Sequence, residues 1–211
     1  MNDLERAEQH LRTIRRLMER GTIYRAISAP TALVGGLLSL ILSALLLTGH
    51  APNFGDYSFV VCWLVVLLLT SGANTYFIVA GAKNRNEPVI SASMKTALAS
   101  LAPPYLAAAA ITAVAVAFRS NSFDENFLPL IWTIFYGLGL LATFTFAPRS
   151  LVLLGWAFLL TGLLAFIYGF SGIGSEPPDH FGTCLMAATF GLYHLIYALC
   201  AWPRKNAEPE P

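Results

Sequence analysis

The chain has 211 residues, of which 56% are hydrophobic and 12% charged, and its net charge is +1. A soluble domain carries about 25% charged residues, so this composition, with a mean hydropathy of +0.61, excludes an ordinary water-facing globule. The near-neutral charge gives no nucleic-acid signal. Cys62, Cys184 and Cys200 stand inside apolar runs with no CxxC pair, which speaks against a disulfide framework or a structural zinc site.

The first 25 residues form one unit. Leu4 to Arg25 reads LERAEQHLRTIRRLMERGTIYR, and Leu4, Ala7, Leu11, Ile14 and Met18 recur at threes and fours, a single stripe on a helix. Arg6, Arg12, Arg15, Arg16, Arg20 and Arg25 are six of the thirteen basic residues. The expectation is an amphipathic, basic helix that stops at Gly21. Its stripe is too short for a coiled coil. Three surfaces remain open for it through residues 3–20: lipid headgroups, met by Arg12, Arg15 and Arg16; the protein's own cytoplasmic loops; or a protein partner or second copy. The segment is too long and too acidic for the positive end of a cleavable signal, so the first span is expected to stay attached.

After Arg25 the chain turns to hydrocarbon. Crossing roughly 30 Å of bilayer core takes about twenty apolar residues, and residues 26–203 supply six such spans, at about 28–48, 58–81, 96–118, 127–146, 150–170 and 181–202. All 25 charged residues fall outside them. Between the first two spans, His50-Ala-Pro-Asn-Phe-Gly-Asp56 is turn chemistry. In the third, Pro103 and Pro104 interrupt the hydrogen-bond ladder and predict a kink. Ala109, Ala113 and Ala117 form a ridge of small residues that admits a close neighbouring helix. Only Ala147-Pro148-Arg149 separates the fourth span from the fifth, so these two are an antiparallel hairpin. Residues 204–211 are a polar tail with too little apolar content to fold. The fold class is therefore all-α: a polytopic membrane protein of six helices preceded by an amphipathic one.

Basic residues set the orientation. The N-terminal arm carries six, the loop after the second span three, the loop after the fourth one and the tail two; Arg119 alone lies on the other side. Twelve against one places both termini in the cytoplasm of a multi-pass inner-membrane protein.

Polar groups inside the membrane need partners and so face the bundle interior. At about 1.5 Å per residue, Tyr105 and Tyr136 lie near the midplane, Thr161 close to it, and Asn74 and His194 slightly to the cytoplasmic side. These five side chains from five helices define one polar layer. It reads either as a buried ligand site or constriction, or as interhelical hydrogen bonding worth about 0.6 kcal/mol per bond. The second reading is the plainer one.

Other chemistry finds little support. A two-histidine haem needs a deep partner for His194, and His10, His50 and His180 are not deep. His50, His180, Asp56, Glu176 and Asp179 offer metal-ligand types without metal-site spacing. No Asp or Glu lies in a span to relay protons, and HExxH, GxSxG and Walker glycine loops are missing. The pair Gly35-Gly36 is packing material. No catalytic residue, metal or cofactor is expected. The expectation is a non-catalytic integral membrane protein acting by association, as an accessory subunit, anchor or sensor. The alternative is a small oligomeric carrier or channel built around Asn74 and His194.

Overall fold

A computed structural model describes residues 29–55, 57–84, 92–118, 126–170 and 178–202. The expected amphipathic arm, with Leu4, Ala7, Leu11, Arg12, Ile14, Arg15, Arg16 and Met18, lies outside the described residues, as does the tail. Among the described residues every element is a helix: α1 (Ala29–Leu47), α2 (Ser58–Asn84), α3 (Ala92–Phe118), α4 (Phe127–Ala142), α5 (Arg149–Phe170) and α6 (Phe181–Ala201). Five of these are long and apolar enough to cross a membrane; α4 is apolar but shorter.

The helix ends follow local chemistry. α1 closes on Gly49 at φ 71°, where His50 N–H donates to the Leu45 carbonyl at 2.9 Å and Gly49 N–H to that of Leu46 at 3.2 Å. This paired closure needs a left-handed residue that only glycine adopts without cost. The turn that follows is held by Gly55 N–H on Asn53 Oδ1 at 2.8 Å. The fourth span was expected to reach Phe146, but α4 ends at Ala142. There Thr143 and Phe144 N–H reach back only three residues, to Leu140 and Leu141. This tightening leads into Ala147-Pro148, where the residue before proline is driven from helical geometry. At the prolines of α3 the helix continues unbroken, from Ala92 through Pro103 and Pro104 to Phe118.

α1 packs along α2 and α6, and α4 packs on α3, α5 and α6; α4 and α5 form a tight hairpin, and α3 packs extensively only on α4. Glycines set the closest approaches. A Cβ on Gly36 would meet the Gly191 carbonyl at 3.0 Å, so α1 and α6 touch through their backbones. A Cβ on Gly137 would lie 2.6 Å from Leu159 N and 2.9 Å from the Gly155 carbonyl, so α4 and α5 do the same. Gly35 meets Thr70 of α2. One buried cluster, with Ala32, Leu140, Leu154, Phe158 and Tyr197, joins α1, α4, α5 and α6. A second, with Leu42, Phe59, Trp63 and Met186, ties α2 to α1 and α6. The cysteines are all free: Cys62 is buried, Cys184 and Cys200 exposed.

Candidate functional site

α6 is not a uniform helix. Ala187–Tyr193 is a π-helical stretch between the α-helical turns Phe181–Met186 and His194–Ala201. Such widened turns are uncommon and concentrate at functional positions. This one delivers His194 into the bundle, where the residue is 9% exposed. Its Nε2 lies 2.8 Å from the hydroxyl of Tyr136 on α4, and the histidine tautomer sets which atom donates. Nδ1 is buried without a hydrogen-bond partner.

Aromatic rings enclose the pair. Tyr105 of α3 stacks on Tyr136 with centroids 6.1 Å apart and planes 8° from parallel. Phe158 of α5, fully buried, sits 4.6 Å from the Tyr136 ring and edge-on to His194 at 5.4 Å. Phe190 closes the group, 5.0 Å from Tyr136. Offset and edge-on contacts of this kind each add about 0.5–1.5 kcal/mol beyond burial, so the group is a rigid knot joining α3, α4, α5 and α6.

Of the five residues read as one layer, the structure brings together Tyr105, Tyr136 and His194. Asn74 stands apart, its Oδ1 accepting from the Thr31 hydroxyl of α1 at 3.1 Å. Thr161 bonds the Tyr193 hydroxyl at 2.8 Å, on α6 but one residue from His194. The polar end of α2 does not all face inward: Ser71 and Thr75 are exposed. Thr75 satisfies its hydroxyl on the Ser71 carbonyl at 2.9 Å, an option open to Ser and Thr within a helix. Sequence reasoning missed Trp132, whose Nε1 donates to Thr112 of α3 at 2.8 Å, and the framing rings Phe158, Phe190 and Tyr193. Thr112 was the one visible signal, a hydroxyl in an otherwise alanine-rich stretch.

Beside this group lies a cavity of about 590 Å³, floored by Trp132, Tyr136, Phe190 and His194 and walled by α2 and α3. Ala109 and Ala113, read as a surface for a neighbouring helix, line this space, and Ala117 is exposed. No group of three or more His, Cys, Asp or Glu gathers among the described residues.

These helices define a helical membrane protein of the multi-pass kind. Compared with family models, curated proteins and solved structures, the chain matches none.

Proposed function

We propose that the protein is a non-catalytic component of the inner membrane that acts by association, as an accessory subunit, anchor or sensor, with both termini in the cytoplasm. In this reading α4, extended by its terminal turns to Phe146, completes six crossings. The hairpin of α4 and α5 supports that count, because α5 runs a full span beside it. The amphipathic arm of residues 1–25 then lies on the cytoplasmic side, with Leu11 and Ile14 toward apolar surface and Arg12, Arg15 and Arg16 toward phosphate or partner carboxylates.

The observation that carries this reading is how the intramembrane polar groups are spent. Tyr136 with His194, Thr161 with Tyr193, Asn74 with Thr31 and Trp132 with Thr112 are each cross-helix pairs. Pairs of this kind hold a bundle together, while Trp63 Nε1, Thr70 Oγ1, Thr133 Oγ1 and His194 Nδ1 stay buried without a partner among the described residues. The test places an environment-sensitive fluorophore on Cys introduced at Met18, with the native cysteines replaced, in proteoliposomes containing anionic phospholipid. A blue-shifted emission that reverts in Leu11→Asp/Ile14→Asp, with the bundle still folded, is expected. Emission unchanged by those substitutions would rule out arm docking.

One observation favours the carrier or channel alternative: the π-helical stretch ends at Tyr193, immediately before His194, where a functional distortion would be placed. Under that reading His194→Leu abolishes flux of the transported solute in reconstituted vesicles, and wild-type flux in the variant removes it.

A further inference from the structure

The cavity beside the Tyr136–His194 pair exists because two helices do not meet. α2 packs along α1 and α3 along α4, and neither makes an extended contact with the other. Leu64, Leu67 and Thr70 face it from α2; Ala109, Ala113 and Val116 face it from α3. Leu64 and Leu67 are 43% and 59% exposed, so the cleft opens sideways, toward what surrounds the bundle. No Asp, Glu, Lys or Arg lines it.

The cleft has a definite depth. Its α2 wall runs from Val60 to Thr70, ten residues and therefore roughly 15 Å at the helical rise. Its α3 wall runs from Tyr105 to Val116, a similar length. A hydrocarbon core is roughly 30 Å thick, so the cleft is one leaflet deep. Both walls belong to the half of the bundle that carries the α1–α2 turn and the start of α6. The inner end is closed by Tyr105, Tyr136 and His194. A transmembrane helix of a second copy, about 10 Å wide and needing the whole core thickness, does not fit a slot that stops halfway. A hydrocarbon chain from a single leaflet does. A cavity of about 590 Å³ lies within the range of roughly 300–1,000 Å³ in which small apolar ligands are held.

We propose that this cleft is a binding site for an acyl chain of a phospholipid from the leaflet on that side. The chain enters between α2 and α3 and ends on the Tyr105–Tyr136–His194 floor, and its headgroup stays at the interface. The lining residues all belong to the bundle helices, and the association reading is tested on the arm, so the two stand or fall separately.

The test uses full-length protein in proteoliposomes with a phosphatidylglycerol that carries a diazirine in the middle of one acyl chain, mapped by mass spectrometry after illumination. Labelling of Leu64, Leu67, Ala109 and Ala113 is expected to exceed that of Leu160 and Leu164, outward-facing positions in the same half of the bundle, by several-fold. Ala113→Phe, which fills the slot, should bring it down to the level of those positions. Leu67→Trp, at an exposed site that tolerates bulk, should do the same and guards against misfolding of the first variant. Even labelling around the bundle, or cleft labelling unchanged in both variants, overturns the proposal. So does disulfide cross-linking between Leu67→Cys copies with the cleft unlabelled, which would put a second copy there.

Discussion

Gly137 is where the packing argument can be measured most directly. An alanine there would put its Cβ 2.6 Å from Leu159 N and 2.9 Å from the Gly155 carbonyl. Both are backbone atoms of α5, so no rotamer change relieves the clash and the two helices must separate. Overpacking of this kind costs about 1–3 kcal/mol, and a backbone-on-backbone contact belongs at the upper end. Glycine to alanine also favours the helix by up to about 1 kcal/mol, which masks part of the cost. Gly72→Ala supplies the correction: it is also helical and has nothing within 4 Å of the added atom, so it carries the propensity gain alone. The difference between the two variants isolates the steric effect, about 3 kcal/mol. Reversible unfolding by dodecyl sulfate titration in mixed micelles, followed by tryptophan fluorescence, reads that difference. If Gly137→Ala unfolds at the same midpoint as Gly72→Ala, the close approach of α4 and α5 is wrong, and with it the placement of Tyr136.

The Tyr136–His194 bond predicts a non-additive series. Tyr136→Phe leaves a buried imidazole nitrogen unpaired and should cost about 1–3 kcal/mol, whereas Tyr136→Phe with His194→Leu removes both partners and should recover part of that loss; a double variant less stable than the single would contradict the pairing. Thr112→Val deletes the acceptor for Trp132 and should lower stability by about 0.6 kcal/mol, the usual worth of an intramembrane bond, with the unfolding midpoint again the readout. Thiol labelling in detergent should modify Cys184 and Cys200 promptly and Cys62 only after unfolding, since Cys62 alone of the three is buried; prompt labelling of Cys62, counted by intact mass, would refute its place against Phe59 and Trp63.

The spans were legible because charge and hydrocarbon exclude each other. All six expected spans coincide with described helices to within four residues at either end, and the fourth runs four residues past α4 because Thr143 to Phe146 is as apolar as a helix yet turns ahead of Pro148. Height along a helix can be counted residue by residue; azimuth was not legible. In water a helix announces its buried face by contrast with its polar one, but here the outward face is as apolar as the inward one, as Leu68, Leu153 and Leu199 show. Asn74 was read into one layer with His194, and in the structure its side chain accepts a hydrogen bond from Thr31 of α1. Ala109 and Ala113, read as a ridge that admits a neighbouring helix, line the cleft among the described residues. A cleft is a contact not made, and no residue type marks it. The π-helical stretch was equally silent, for Ala187 to Tyr193 reads as ordinary helix.

That stretch gives the last helix a phase offset. A widened turn accommodates about one residue more than the regular repeat, and each residue advances a helix by roughly 100°. Everything from His194 onward is thus dialled round relative to Phe181 through Met186. Shortening the chain by one residue at Ala188 would let the coil relax to a regular pitch at little cost in backbone bonding. Because the residue removed is the extra one, His194 and Tyr197 would keep close to their present bearings; regularising all seven residues without a deletion would instead swing both round by about one residue's advance, roughly 100°.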